Sequence, residues 1–316
     1  MIKVLFAPLQ GYTDAIYRQL HNKHFGGIDK YYAPYLRFEP NKEPKNSVIN
    51  DLLPDNNKDI DLIPQLLGKD MGLFIEHTKR LQEQGYTTVN WNLACPYPMV
   101  YKRGFGSGLL KSPETINELL SEIIPKIEIP LSIKCRLGFE SKSEINGLID
   151  VFNNHDLQEI IIHARTAKQL YKGTASPIYF NSVVSKSKNK LIYNGDINTL
   201  DDYNNLSEIL GYKPDKLMIG RGLLQNPFLA KELNGMQYDN EYRKKTLQAY
   251  HDDIYTHYNE KLEKSHILRK MQTFWEYFSY NFENQRKVYK LIKKAVNIQK
   301  YEDRVAEIFK MPLIRK

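Results

Sequence analysis

The sequence predicts an α/β fold, a (β/α)8 TIM barrel followed by a C-terminal helical bundle, on three observations. Across residues 1–238 short β-branched or apolar runs alternate with helix-period segments, the signature of repeated βα units on a parallel sheet. Eight such runs can be counted. Residues 239–316 then change character, with no glycine, a single proline (Pro312), and abundant aromatic and basic residues at helical spacing.

Taken in order, the predicted strands are Ile2–Ala7, Lys30–Pro34, Asp61–Leu66, Thr87–Asn92, Leu131–Lys134, Glu159–His163, Leu191–Asn194 and Lys216–Ile219. A doubly wound open sheet would carry a glycine-rich fingerprint after the first strand, and Ala7-Pro8-Leu9-Gln10-Gly11 is not GxGxxG. The 316 residues exceed the ~250 of one barrel by a small extra domain, so the expected division is 1–238 and 239–316.

Charge supports that division. The net +8 splits into 28 Lys+Arg against 26 Asp+Glu before residue 239 and 17 against 11 after it. A basic helical tail suits a polyanionic partner, although a single charge run is usually just a solvated face. The N-terminus carries no signal-peptide pattern and no apolar run approaches 18 residues, so a non-membrane, cytoplasmic protein is expected. Two cysteines in a chain of this size read as free thiols. No second Cys or His stands at metal-ligand spacing, so no metal site is expected, and a monomer is assumed.

Barrel chemistry belongs at the C-terminal ends of the strands, and polar residues collect there. Gln65 closes strand three; Asn92 and Cys95 follow strand four; Lys134 ends strand five; His163 ends strand six. Asn194-Gly195-Asp196 and Gly220-Arg221-Gly222 follow the last two strands. Small residues let backbone N–H groups approach an anion and Arg221 can fork onto a phosphate, so these two turns predict a phosphate site; the alternative is two tight turns that use glycine for conformation alone. Lys134 alternates with Ser132 toward the barrel interior, where an unpaired ammonium needs an anion or an electron-rich ring. Cys135 then faces the helices as packing. Cys95 lies on a glycine- and Lys/Arg-bearing loop over the mouth, placed to act as nucleophile or proton donor, though a lone cysteine is more often structural.

The ordered set Ala7–Asp14, Gln65–Gly68, Asn92–Pro96, Leu131–Gly138, His163–Thr166, Tyr171–Gly173, Asn194–Ile197 and Gly220–Gly222 resembles the motifs of the tRNA-dihydrouridine synthases, most closely their bacterial C-type branch. Each motif is weak alone, but eight in family order are specific. The resemblance implies an FMN-dependent reductase that saturates the C5–C6 bond of a D-loop uridine in tRNA with NADPH as reductant, with position 16 as the C-type expectation. It implies that Pro8, Leu9 and Gln10 line the flavin, that Gln65 bonds its ring edge, and that Lys134 and His163 sit against ring or phosphate. Asn194, Gly195, Asp196, Gly220 and Arg221 hold the phosphate, and Cys95 donates the proton. Asn92 and Arg165 are expected on the substrate. Departures are Asn90 for the usual Asp, Ala94 for Gly and Leu9 for Met, and Ala94 is expected to restrict its loop.

In the tail, Val288, Leu291, Ile292 and Ala295 form an apolar stripe along Arg286–Lys300, opposite Arg286, Lys287, Lys290, Lys293 and Lys294. His266, Arg269 and Lys270 form a second cluster. Phosphate contacts to tRNA are expected from Arg269, Lys270, Arg286, Lys287, Lys290 and Lys294. Most of the aromatics from Phe274 to Phe282 are expected to be core. Two rivals remain, an FMN barrel acting on a free metabolite and a non-catalytic RNA-binding barrel; neither uses both the thiol and the tail.

Overall fold

The computed structural model describes residues 1–314; Arg315 and Lys316, at the end of the expected tail domain, lie outside the described residues. Ten parallel strands form the sheet: β1 (Lys3–Phe6), β2 (Lys30–Tyr32), β3 (Leu36–Arg37), β4 (Leu62–Ile63), β5 (Gln65–Leu67), β6 (Val89–Leu93), β7 (Leu131–Gly138), β8 (Ile160–Thr166), β9 (Leu191–Asn194) and β10 (Lys216–Ile219). Their order is β3-β5-β6-β7-β8-β9-β10-β1-β2-β4. The sheet is curled and TIM-barrel-like.

The difference from eight runs has a local cause. Proline has no N–H to donate, and Pro64 splits the third run: β4 pairs with β2, while β5 turns to β6 and β3. The carbonyls either side of the break stay used, Ile63 accepting from Ala33 N–H at 3.0 Å and Pro64 from Asn90 N–H at 2.9 Å. The pair β2-β4 at one end of the strand order is thereby joined through the chain to the pair β3-β5 at the other, β4 running into β5 across Pro64. Strand β3 lies outside the eight predicted runs, and β7 and β8 run past Lys134 and His163 to Gly138 and Thr166, carrying Arg136 and Arg165 on extended backbone.

Alternation sorts the strand residues into two environments. Val4, Phe6, Val89, Trp91, Ile133, Cys135 and Ile162 pack outward with the helices in the main core, while Leu5, Tyr32, Ile63, Ile161, Ile192 and Met218 form a separate inner cluster. At one end of the sheet, Glu159 accepts from the Tyr32 hydroxyl at 3.0 Å and pairs with Lys216. The opposite end is polar and holds the site.

The C-terminal region is helical: Asn240–Lys261, Lys264–Phe278, Gln285–Lys293 and Ile298–Ile308. The expected single stripe over Arg286–Lys300 is two helices, because Asn297 accepts from Lys300 N–H at 2.9 Å and caps a new one. Val288, Ile292 and Ala295 are buried, Leu291 half-buried, and the five cations exposed. Trp275, Phe278 and Phe282 are core, and only Tyr280 of that aromatic run is exposed. The apolar core is continuous across residue 238, with Tyr250 edge-on to Phe25 and Tyr17 at centroid separations of 4.9 and 5.8 Å. Among the described residues no helix is long and apolar enough to cross a membrane.

Candidate active site

The C-terminal ends of the strands open into a cleft of about 980 Å³, continuous with a narrower end of about 520 Å³ that shares Pro8, Leu9, Lys134, His163, Tyr171 and Arg221. Pro8, Leu9, Gln10, Gln65, Asn92, Cys95 and Arg136 line the wide part, together with Glu276 and Tyr277 from the helical tail. Asn194, Gly195, Asp196, Gly220 and Arg221 line the narrow end. Residues far apart in sequence are thus brought to one cavity.

A chain of amides builds one wall. Asn90 donates to Ser132 Oγ at 2.9 Å and accepts from Gln65 Nε2 at 2.7 Å; Asn92 Nδ2 donates to Gln65 Oε1 at 2.6 Å. An amide at position 90 accepts and donates at once, which accounts for the departure there. Asn92 Oδ1 accepts the backbone N–H groups of Ala94 and Cys95, both at 2.9 Å. Asn92 thus holds the thiol loop through Oδ1 and Gln65 through Nδ2 while lining the cleft. The Cys95 carbonyl accepts from Ser107 N–H and Oγ, and Gly106 approaches so closely that an added Cβ would lie 3.1 Å from Cys95 Cβ. Ala94 keeps an ordinary negative φ, so the expected restriction does not arise.

The Cys95 thiol is buried beside Leu67, Val100 and Phe105, with the Tyr35 hydroxyl 4.0 Å from Sγ. Burial pushes its pKa above the usual thiol value, outweighing opposing contacts from Tyr97 N–H, Tyr35 and Arg136. It is a neutral, protonated thiol at neutral pH. Cys135 is wholly buried with its pKa pushed up to about 12, consistent with packing.

Lys134 Nζ donates to Asn194 Oδ1 at 2.9 Å, and Asn194 Nδ2 to the Met218 carbonyl at 2.8 Å. Among the described residues no carboxylate pairs with Lys134. Burial, then the nearby Arg136 charge, lowers its pKa to about 7. His163 is driven well below the usual histidine value by burial and by Arg136, Lys134, Arg165 and Arg221 around it, so it is neutral. Because a guanidinium only donates, the 3.2 Å contact from Arg165 Nη1 makes His163 Nε2 the acceptor and puts the ring proton on Nδ1.

Arg165 and Asp196 meet each other. Arg165 is buried behind the cleft and spent on His163, the Gly173 carbonyl (2.7 Å) and Asp196 (2.5 Å) rather than facing a substrate. The Asp196 carboxylate accepts from Arg165, Ala175 N–H and Arg221, so it orients cations at the narrow end that the residue lines. Burial alone would raise its pKa; the Arg165 and Ala175 hydrogen bonds and the two arginine charges hold it below the usual carboxylate value. Gly222 admits no side chain, since a Cβ would lie 2.0 Å from the Ile197 carbonyl oxygen. That contact locks the last two loops together.

Sequence reasoning passed over Tyr35 and gave no role to Tyr171 and Arg136, although both lie within the quoted motifs. Tyr171 lies between Arg221 and Arg136, 4.9 and 5.5 Å from its ring centroid. Arg136 donates to the Ala94, Thr166 and Leu170 carbonyls, tying the thiol loop to the loop after β8. Its inward register, two residues past Lys134 on one strand, was the available signal. Of the expected RNA contacts, Arg269, Arg286, Lys287, Lys290 and Lys294 are exposed, whereas Lys270 pairs with Asp14 at 2.6 Å. Its charge is thus already shared with a carboxylate.

This cleft can be set beside known proteins. A family model described as dihydrouridine synthase matches residues 5–311. The chain belongs to the dihydrouridine synthase family. It is accordingly an oxidoreductase. Similar curated proteins include a tRNA-dihydrouridine(16) synthase of Aquipseudomonas alcaligenes, 28% identical over 240 residues covering 73% of this chain and 75% of that protein. A tRNA-dihydrouridine synthase B of Vibrio vulnificus is 26% identical over 233 residues, covering 73% and 71%. Among solved structures, histamine dehydrogenase from Rhizobium sp. 4-9 aligns with a TM-score of 0.53 at 13% identity, over 74% of this chain and 45% of that one. 2-Naphthoyl-CoA reductase aligns with a TM-score of 0.54 at 9% identity, over 74% and 50%. These two likenesses bear on the fold alone.

Proposed function

We propose that this member of the family is a tRNA-dihydrouridine synthase that reduces the C5–C6 bond of a D-loop uridine, position 16 by likeness to relatives so named. The observation that carries the reading is a buried neutral thiol and a buried ammonium without a counter-anion in one cleft, which ends in glycine- and arginine-bearing turns. A cofactor with a phosphate and an electron-rich ring fits this donor set: among the described residues Lys134 has only a neutral partner, and Arg221 lines the narrow end beside Gly195 and Gly220. FMN, reduced by NADPH, would supply the hydride to C6.

The chain's own residues do the rest. Gly195, Gly220 and Arg221, with Asn194 behind them, hold the FMN phosphate, while Asp196 and Arg165 fix the direction of that loop. Pro8, Leu9 and Gln10 line the ring, Gln65 bonds its edge, Lys134 stabilises negative charge there, and His163 offers Nδ1–H. Cys95 gives its proton to C5 as charge builds on that carbon. The uridine must leave its stack, at a cost of about a few kcal/mol that contacts elsewhere offset. Arg269, Arg286, Lys287, Lys290 and Lys294 supply sequence-independent phosphate contacts. On this reading the sheet works as an eight-stave barrel (1–238), the tail (239–316) as a tRNA-binding bundle, and the enzyme acts as a monomer in the cytoplasm.

The test is to purify the protein, record its flavin spectrum, and map dihydrouridine in tRNA from cells with and without the gene. Loss of one D-loop dihydrouridine on deletion is expected. A protein that neither carries nor takes up FMN, with unchanged tRNA, would overturn the reading.

A further inference from the structure

The first βα loop faces two ways. Pro8, Leu9 and Gln10 line the cleft, and three of the next four residues, Gly11, Tyr12 and Asp14, are gripped by the helical tail. Asp14 accepts from the Tyr258 hydroxyl at 3.0 and 2.9 Å and pairs with Lys270 at 2.6 Å. Lys270 also donates to the Gly11 carbonyl at 3.3 Å. Tyr12 donates to Glu276 at 2.8 Å and meets Tyr277 edge-on at 5.1 Å. Within the loop, Thr13 Oγ1 accepts from Leu9 N–H at 2.9 Å, and the Tyr12 and Thr13 N–H groups donate to the Leu9 carbonyl at 3.0 and 3.1 Å. Any shift at Asp14 is thereby passed to Leu9 in one rigid turn, whose glycine, Gly11, stands at φ 87°.

We propose that Tyr258, Lys270 and Glu276 are positioning residues for the cofactor: through Asp14 and Tyr12 the tail holds the Pro8–Gln10 backbone in the geometry that receives the FMN ring. This rests on the FMN reading above. The tail then contributes to the chemistry as well as to RNA contact, and the two parts of the chain do not act as separable modules. Half-burial favours such an effect, because Lys270 and Asp14 are only 26% and 31% exposed and water competes weakly for them.

The experiment measures FMN affinity, by quenching of flavin fluorescence, and the bound-flavin absorbance spectrum in full-length protein without RNA. The variants are Asp14→Asn, Tyr258→Phe and Glu276→Gln. Asparagine keeps the cap that Asp14 provides to Tyr17 N–H, so the helix start survives in that variant. Each variant is expected to weaken FMN binding about three- to tenfold and to shift the visible bands, with thermal melting of the apoprotein little changed; Asp14→Glu is expected to recover part of the loss. Unchanged affinity and spectrum in all three variants would refute the proposal. Wild-type protein that binds no FMN at all would instead defeat the underlying functional reading, and the two failures are told apart by that control.

Discussion

Replacing Lys134 with methionine should strengthen the fold and weaken the cofactor site. The ammonium is buried, its single partner among the described residues is the neutral Asn194 side chain, and its pKa is lowered from 10.5 to about 7. Since the unfolded chain binds that proton more tightly, the charge costs the apoprotein stability. The cost is complete below about pH 7, shrinks as pH rises, and vanishes near 10.5. At ~1.4 kcal/mol per pH step the full cost is about 5 kcal/mol, less ~1 kcal/mol for the missing bond to Asn194. Lys134→Met, similar in shape and apolar, should therefore stabilise the apoprotein by several kcal/mol at pH 6.5. At pH 9.5 most of that advantage should be gone. Urea denaturation of both proteins at the two pH values measures it. The same variant should bind FMN at least about tenfold more weakly, because the cation that opposes ring charge is absent. A variant less stable than wild type at pH 6.5, or equally stabilised at both pH values, would show that Lys134 is not held as an uncompensated charge.

Other outcomes are equally specific. Cys95→Ala should retain flavin and tRNA binding while losing about 10²–10⁴-fold in single-turnover uridine reduction. Because burial raises the Cys95 pKa, the wild-type rate should not fall between pH 6 and 8 through loss of the thiol proton; a fall that disappears in an acid-independent assay of flavin reduction would contradict this. Gly222→Ala must displace the Ile197 carbonyl, so about 1–3 kcal/mol of stability and most affinity for FMN should go together, as read by melting and by fluorescence. Lys287→Glu with Lys290→Glu, both exposed, should leave melting unchanged and lower tRNA affinity, flattening its salt dependence by about one power of salt for each phosphate no longer bound. Retained affinity would move the RNA path off this helix.

The sequence by itself determined the α/β class, the positions of most strands, the polar residues at their C-terminal ends and the basic tail, because period-2 and period-3.6 patterning and turn chemistry are local properties. It placed Cys95, Lys134, His163 and Arg221 among the candidates from strand ends and alternation alone. Only the tertiary structure decided which partners each would meet. Arg165 and Asp196 lie 31 positions apart, and their 2.5 Å contact joins the loops after β8 and β9. Lys270 looks like any exposed basic residue until Asp14, 256 positions earlier, takes up its charge. The split at Pro64 was visible as a proline, but not the change of neighbour it causes, since pairing depends on strands elsewhere in the chain. Local sequence fixes what a side chain can donate or accept. Which group stands opposite it, and hence its charge state and role, is set by contacts that exist only once the chain has closed on itself.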